Sequence, residues 1–307
     1  MSYTIPPHLK KGATLGIYAP ASPMLVGRLE AGIPYLEKLG FRVKLGKHIR
    51  QTNRFMAGTD EQRAQDINDF FQDPEVDGLL ATGGGYGVQR LLPLLDYRLI
   101  RNHPKPLVGF SDITGLNLAL LKKAGLVSYT GFTLADTQQD GKACQPDSLI
   151  ETTLTNLLFG KSYEVTGGTS VKPGQVEGYL IGGNSDLIVA LHGTPYQPDY
   201  KNCILLIEEV RLEPYKVDAM LSHLWLTGLF EQVAGVIFGQ FENCIAKNFP
   251  ERDGTVNDVI KEWASKMSVP CIKDFPFGHG AKRCCLPIGS RVILDGNTGK
   301  LFVPANK

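Results

Sequence analysis

The chain has 307 residues, 43% of them hydrophobic, and its 32 basic and 31 acidic residues leave a net charge of +1. This length predicts two domains, and the balanced charge gives no reason to expect nucleic acid or an anionic membrane as a partner. The N-terminal residues lack the apolar stretch of a secretory signal, and no run of about 18 apolar residues predicts a membrane span. Six cysteines without C-x-x-C spacing are typical of a cytoplasmic protein with reduced thiols.

The first 145 residues alternate between strand and helix patterns. Such alternation predicts an α/β domain with a parallel sheet and helices on both faces, and sites in such a sheet form beyond the carboxyl ends of the strands. A capping-box pattern at 59–62 opens one of the helices. The predicted strands are 14–19, 41–45, 77–81 and 106–110, and the predicted helices are 31–39 (with Pro34 near its start), 59–71, 89–95 and 113–124.

The remainder of the chain predicts a second, mixed α/β domain that is rich in strands. Residues 138–146 form a polar, turn-rich stretch, and a helix over 146–159 bridges the halves, so we expect domains at 1–145 and 166–307 with a bridging segment at 146–165. The predicted strands are 178–181, 203–208, 233–238, 270–273, 291–294 and 301–303, and the predicted helices are 185–191, 217–226 and 256–267.

Ser111 is the most informative residue, because it lies at a sharp turn between a predicted buried strand and a predicted helix. A hydrolase presents a serine nucleophile in this way, beside the positive end of a helix. Serine oxygen is a poor nucleophile at neutral pH. The interpretation therefore requires a base, an acid that orients the base, and oxyanion donors elsewhere in the chain.

A glycine-rich run at 82–87, T-G-G-G-Y-G, follows the strand at 77–81. Its backbone N–H groups could hold a phosphate or supply an oxyanion hole beside Ser111, and a tight strand-to-helix turn explains the run equally well. The run is not G-x-G-x-x-G, and no acidic residue follows at the ribose position of a dinucleotide fold.

Glu208 and His279 are the candidate acid and base. Glu208 ends an apolar strand, where a carboxylate is costly unless it is paired, although an acid in a rim salt bridge would give the same pattern. Strand alternation predicts that the neighbouring Glu209 points to the opposite face, so that only one of the two can serve. His279 lies in a glycine-flanked loop that could present it at a cleft.

Gly182, Gly183 and Asn184 precede the helix at 185–191. Asn184 is a plausible N-cap for this helix. Alternatively, exposed amides and the asparagine side chain could hold a substrate.

Together these segments resemble the LD-carboxypeptidases, or muramoyltetrapeptide carboxypeptidases, of a serine peptidase clan that also contains the microcin C self-immunity peptidases. The resemblance starts at Y-A-P-A-S (18–22) and extends to the last strands. It is carried by G-G-G-Y-G (83–87), G-F-S-D-I-T (109–114), G-G-N (182–184), L-I-E-E-V (206–210), P-Y-K-V (214–217), F-G-H-G (277–280) and L-P-I-G (286–289).

The resemblance implies a triad of Ser111, His279 and Glu208. It implies an oxyanion hole from the backbone amides of Gly85 and Asp112, with Gly84 as the alternative to Gly85. It also implies an N-terminal Rossmann-like domain that carries the serine, a C-terminal domain that carries the acid and base, and an active site between them, commonly in a homodimer. We expect Gly84, Tyr86, Gly183 and Asn184 to contact substrate.

The implied reaction is release of the C-terminal D-alanine from a murein tetrapeptide during cytoplasmic cell-wall recycling, with no metal or organic cofactor. One position departs from the family: Gly83 stands where the family usually has arginine. If that arginine binds the substrate carboxylate, Arg211, Lys216 or Arg283 could replace it.

Two alternatives stay open. Within the clan, an immunity-type peptidase would cleave an aminoacyl-nucleotide or related toxin and would need an aromatic platform for the base, for which Trp225 and Trp263 are the only tryptophans. From another class, a non-catalytic binding module could hold a small phosphorylated ligand on the glycine loop.

Overall fold

The computed structural model describes residues 3–24, 27–139 and 142–305, and the chain divides into two compact units. The first unit comprises Met1–Lys161 with Cys285–Ile288, and the second comprises Ser162–Cys284 with Gly289–Lys307. Within the described ranges, none of the helices has the length and apolar character needed to cross a membrane.

The strands, in chain order, are β1 (Thr14–Tyr18), β2 (Arg42–Leu45), β3 (Gly78–Ala81), β4 (Leu107–Gly109), β5 (Ser128–Thr130), β6 (Gln138–Gln139), β7 (Lys142–Ala143), β8 (Tyr163–Val165), β9 (Thr169–Lys172), β10 (Gln175–Asn184), β11 (Cys203–Val210), β12 (Gly235–Glu242), β13 (Cys271–Lys273), β14 (Leu286–Ile288), β15 (Arg291–Asp295) and β16 (Lys300–Val303). The α-helices are α1 (Arg28–Lys38), α2 (Asp60–Gln72), α3 (Val88–Leu91), α4 (Tyr97–Asn102), α5 (Thr114–Ala124), α6 (Ser148–Leu158), α7 (Ser185–Leu191), α8 (Pro214–Leu226), α9 (Leu229–Gln232) and α10 (Val256–Lys266), with short 3₁₀ helices at Leu92–Leu94, Ser111–Ile113 and Leu134–Thr137.

The first unit is built on a six-stranded sheet with the order β2-β1-β3-β4-β5-β14. The first five strands are parallel, and only β14 runs antiparallel. Strands β1, β3 and β4 are completely buried, which their continuous apolar runs predict for a sheet covered on both faces. The predicted Rossmann-like α/β sheet is confirmed, and the loops that follow these three neighbouring strands leave the same edge.

Several predicted boundaries in the first unit were wrong. Helix α1 begins at Arg28, so Pro34 lies in its interior rather than near its start. The helix predicted over 89–95 ends at Leu91 and continues as a 3₁₀ turn, because Pro93 has no N–H to donate within the helix. The polar stretch at 138–146 contains a short antiparallel pair, β6 and β7, and its residues 140 and 141 lie outside the described residues.

The second unit is built on an eight-stranded mixed sheet with the order β8-β16-β15-β10-β11-β12-β13-β9. Its four central strands, β10 to β13, are parallel, and antiparallel strands flank them on both sides. Residues 203–207 of β11 are completely buried, so this strand lies in the core. The predicted mixed α/β domain is confirmed, and the carboxyl ends of its central strands define one edge of the sheet.

Candidate active site

Ser111 lies immediately beyond β4, at the turn into the 3₁₀ helix Ser111–Ile113 and helix α5. Its φ of 65° is in the left-handed region, which non-glycine residues seldom occupy and which often marks a functional site. Gly109 allows this turn to close, because a Cβ on Gly109 would lie 2.4 Å from Cγ2 of Ile113. The predicted strand–turn–helix around the serine is therefore present, with strained backbone at the serine itself.

The glycine run packs directly against Ser111. A Cβ on Gly84 would lie 2.7 Å from Cβ and 3.1 Å from Oγ of Ser111, and a Cβ on Gly85 would lie 2.1 Å from Oγ of Ser22. Gly85 has a φ of 118°, and the amide of Ser22 donates to the carbonyl of Gly84 at 3.3 Å. Since neither glycine has room for a side chain, the run is a close-fitting wall around the serine. Tyr86 is half exposed.

The Asp112 side chain connects the serine turn to the helix that follows the glycine run. Its buried carboxylate accepts a hydrogen bond from the amide of Val88 at 2.9 Å, at the start of α3. Burial raises the pKa of Asp112 to about 6. Sequence analysis selected Asp112 for its backbone amide and missed this second role of its side chain.

His279 and Glu208 form a hydrogen-bonded pair in the second unit. The His279 Nδ1 atom lies 2.7 Å from Oε2 of Glu208, whose side chain is completely buried. A carboxylate only accepts hydrogen bonds, so Nδ1 carries the proton and, in the neutral ring, Nε2 is left as an acceptor. The second unit thus holds a histidine in the tautomer that a general base requires.

Gln240 of β12 holds the loop that carries His279. Its Oε1 accepts from the amide of Gly280 at 3.0 Å, its Nε2 donates to the carbonyl of Lys282 at 2.9 Å, and its amide donates to the carbonyl of Phe277 at 2.7 Å. These bonds lie on both sides of His279 in the chain. Sequence analysis missed Gln240, and nothing local to the residue signals its partners about 40 positions away.

Glu208 and Glu209, for which strand alternation predicts opposite faces, both reach the side chain of Asn184. The register between β11 and β12 shifts between Ile207 and Glu209. Both carboxylates accept hydrogen bonds from the Nδ2 group of Asn184, at 3.2 Å for Glu208 and 3.0 Å for Glu209. The extra residue at this shift lies on β12, where Gly239 and Gln240 stand opposite Glu208.

Glu209 completes the start of helix α7, a role that the sequence suggested for Asn184. Its Oε2 accepts from Oγ of Ser185 at 2.7 Å and from the amide of Asp186 at 3.0 Å. Asn184 occupies the N-cap position, but its side chain makes no capping hydrogen bond. Burial raises the pKa of Glu209. Asn184 thus positions the two acids.

Gly183 pairs with Ile207 in the ladder between β10 and β11. The neighbouring Gly182 has no room for a side chain, because a Cβ there would lie 1.9 Å from the carbonyl oxygen of Leu206. These glycines therefore permit close strand packing. The expected contact of Gly183 and Asn184 with substrate stays a prediction.

The cations named as replacements for an arginine at position 83 lie in the second unit. Arg211 has a left-handed φ of 64°, Lys216 lies 5.9 Å from the ring centroid of Tyr215, and Arg283 is buried. Arg28 of α1, which sequence analysis did not select, lies in the wall of a cavity beside Gly83.

The two tryptophans named as a possible platform for a nucleotide base, and any group of side chains that could bind a metal ion, are the remaining candidates for a ligand site. The rings of Trp225 and Trp263 pack against each other with centroids 5.8 Å apart, and Nε1 of Trp263 donates to Asp218. Within the described ranges, no group of three histidine, cysteine, aspartate or glutamate side chains is placed to hold a metal ion.

Comparisons with known proteins cover most of the chain. The model of the LD-carboxypeptidase N-terminal domain matches residues 15–131, and that of the C-terminal domain matches residues 177–294. The chain is 34% identical to the probable murein peptide carboxypeptidase of Bacillus subtilis (94% of this chain, 91% of the relative) and 32% identical to the murein tetrapeptide carboxypeptidase of Pseudomonas aeruginosa (92% and 93%). Its fold is similar to that of the microcin C7 self-immunity protein MccF, with a TM-score of 0.89 at 24% identity over 99% of each chain.

Proposed function

The chain belongs to the LD-carboxypeptidase family of serine-type carboxypeptidases, and we propose that it releases the C-terminal D-alanine of a murein tetrapeptide through Ser111, His279 and Glu208. The observation that carries this proposal is the pair of His279 and the completely buried Glu208, joined at 2.7 Å. Such a pair fixes the ring in the tautomer whose Nε2 can accept a hydroxyl proton. The strained turn at Ser111 supports the choice of nucleophile.

In the proposed reaction, Oγ of Ser111 attacks the carbonyl carbon of the last peptide bond while Nε2 of His279 takes the hydroxyl proton. His279 then gives this proton to the leaving amine, so that the bond to D-alanine breaks and an acyl-enzyme remains. Glu208 stabilises the imidazolium that forms in between. Water, activated by the same histidine, hydrolyses the ester and restores the serine.

We propose that the backbone amides of Gly85 and Asp112 stabilise the oxyanion. Both belong to segments adjoining Ser111, and the contacts of Gly84 with the Ser111 side chain support a wall of backbone close to the reacting atoms. Each donor of this kind is worth about 10²–10³ in rate. Gly84 is the alternative first donor.

The relatives named as murein peptide and murein tetrapeptide carboxypeptidases support the choice of substrate. Cytoplasmic action in cell-wall recycling and a homodimer are part of the same proposal. The immunity-type alternative has less support, since the two named murein carboxypeptidases are 34% and 32% identical to this chain and the microcin C7 self-immunity protein is 26% identical. Of the two candidate tryptophans, Trp225 is exposed and Trp263 is buried.

The deciding experiment is mass spectrometry of an L-Ala-γ-D-Glu-meso-diaminopimelyl-D-Ala tetrapeptide after incubation with the protein or with Ser111→Ala. The wild type should release one D-alanine, and Ser111→Ala should lower kcat by about 10⁴–10⁶. Unchanged activity in Ser111→Ala would refute the serine mechanism. Cleavage of an aminoacyl-adenylate analogue but not of the tetrapeptide would favour the immunity-type peptidase.

A second readout tests the triad without the natural substrate. A fluorophosphonate should label Ser111 in the wild type and label His279→Ala and Glu208→Ala far more slowly, because the reagent requires an activated serine. Tight binding of a phosphorylated ligand with no labelling would favour the binding-module alternative.

A further inference from the structure

A cavity of about 160 Å³ lies in the first unit beside the glycine run. Its wall includes Ser22 from the loop after β1, Arg28 from the first turn of α1, and Thr82, Gly83 and Gly84 from the loop after β3. The two loops are tied together by the hydrogen bond from the amide of Ser22 to the carbonyl of Gly84. The cavity is therefore formed by two hydrogen-bonded loops at the carboxyl edge of the sheet, where sites form in parallel α/β folds.

The cavity begins next to the proposed nucleophile. Gly84, which forms part of its wall, is the residue whose Cβ would lie 2.7 Å from Cβ and 3.1 Å from Oγ of Ser111. Gly84 therefore both lines the cavity and lies against the Ser111 side chain, so the cavity and the proposed nucleophile adjoin at this residue.

The chemistry of the wall favours an anion. Arg28 carries the only charge among the described residues of the wall, and no acidic residue belongs to it. The carboxylate closest to Arg28 in sequence, Glu30, is paired instead with Arg50 at 2.6 Å. A guanidinium in the wall of a cavity whose described residues include no acid is a binding element for a carboxylate.

Thr82 provides a second, independent sign of a missing partner. Its side chain is only 1% exposed, and its Oγ1 is buried with no hydrogen-bond partner among the described residues. Buried hydroxyl groups are nearly always bonded. A polar ligand in the cavity would satisfy this atom.

The volume matches a single small amino acid. A cavity of about 150 Å³ in another protein holds benzene, which has six heavy atoms, and alanine also has six. The tripeptide part of a murein peptide is several times larger. In the leaving residue the carboxylate carbon is three bonds, each of about 1.3–1.5 Å, from the attacked carbonyl carbon.

We propose that this cavity receives the leaving amino acid, with Arg28 bound to its free α-carboxylate and the Thr82 hydroxyl bonded to one of its polar atoms. This inference rests on the proposed function and adds to it the element that restricts cleavage to the last residue. An internal peptide bond presents an amide where the terminal residue presents a carboxylate, so Arg28 distinguishes the two by charge. Arg28 supplies the cation that Gly83 lacks.

The test compares two substrates, the tetrapeptide with a free C-terminal D-alanine and the same peptide ending in D-alaninamide. Arg28→Gln should lower kcat/KM for the acid by about 10- to 100-fold, the worth of a charged hydrogen bond, and should leave the amide nearly unaffected. Arg28→Lys, which keeps the charge, should recover part of the preference for the acid. Arg98→Gln, which removes an exposed arginine of α4 away from the cavity wall, should keep the wild-type ratio.

A binding measurement separates this inference from the proposed function. Saturation-transfer NMR should detect D-alanine binding to Ser111→Ala, no binding of D-alaninamide, and loss of D-alanine binding when Arg28→Gln is added. Turnover with an unchanged acid-to-amide ratio in Arg28→Gln would overturn the role of the cavity and leave the reaction intact. Arg28-dependent D-alanine binding without any turnover would support the cavity and overturn the reaction.

Discussion

Gly84→Ala should disable the enzyme through a single methyl group. Gly84 does not have a left-handed φ, so its backbone accepts alanine. The new Cβ, however, would lie 2.7 Å from Cβ of Ser111 and 3.2 Å from the carbonyl oxygen of Phe110. Carbon atoms in contact are about 3.5–4.0 Å apart, so the serine or the loop must move by about 1 Å.

A displacement of that size at a reacting group costs about 10² in rate. We therefore expect kcat for the tetrapeptide to fall by about 10², with a parallel fall in the rate of fluorophosphonate labelling. Gly83→Ala is the matched comparison, because its Cβ would meet only Cβ of Ala135 at an ordinary 3.8 Å. It should lower kcat by less than about tenfold, or about 1.4 kcal/mol. Equal kcat values for the two variants would refute the argument that Gly84 positions the serine.

Three further predictions test the groups around the site. Burial raises the pKa of Asp112 from its ordinary 3.8 to about 6, so this carboxyl stabilises the fold fully below pH 3.8 and loses about 3 kcal/mol of that contribution as pH rises through 6. In urea titrations, the unfolding free energy of Asp112→Asn minus that of the wild type should therefore be more positive at pH 8 than at pH 4. A difference that does not change with pH would contradict this. Gln240→Met should lower kcat by releasing the loop of His279, whereas Gln232→Met, which loses a bond to Gly228 before α9, should not; equal kcat values for both would show that Gln240 has no positioning role. Glu208→Gln should lower kcat by about 10⁴, while Glu209→Gln should mainly lower stability, by about 1–3 kcal/mol. The reverse order in kcat would mean that Glu209 is the acid.

The serine turn could be predicted because its determinants are local. The signals are adjacent in the sequence: an apolar run that ends at Gly109, then Ser111, then a helical pattern. Each of these signals predicts the same local structure in any parallel α/β sheet. The sheet itself followed from the same alternation. The family resemblance then selected Glu208 and His279 as the expected acid and base, a choice that spacing alone left open.

The elements that sequence analysis missed depend on distant partners. Strand β14 has only three residues, and its central residue is Pro287, so its sequence does not predict a strand. It becomes one by pairing with β5, more than 150 positions earlier in the chain. Gln240 lies in an ordinary strand, and its function arises from the loop that returns to it. Arg28 stands at a helix start, where only the position of the glycine run makes it part of a cavity.

The structure gives Glu208 and Glu209 different hydrogen-bond donors, and strand alternation could not predict this difference. Both side chains are buried and both contact Asn184. A carboxylate offers about four acceptor sites. Glu209 uses them on Asn184, Ser185 and the amides of Asp186 and Val210.

A carboxylate so fully occupied has no site left for a histidine and is committed to the start of α7. Glu208 accepts from Asn184 on one oxygen and keeps the other for His279. The side-chain amide of Asn184 donates to both carboxylates, and each carboxylate has a different set of other donors. The different roles that we propose for Glu208 and Glu209 therefore rest on the donors that surround each carboxylate.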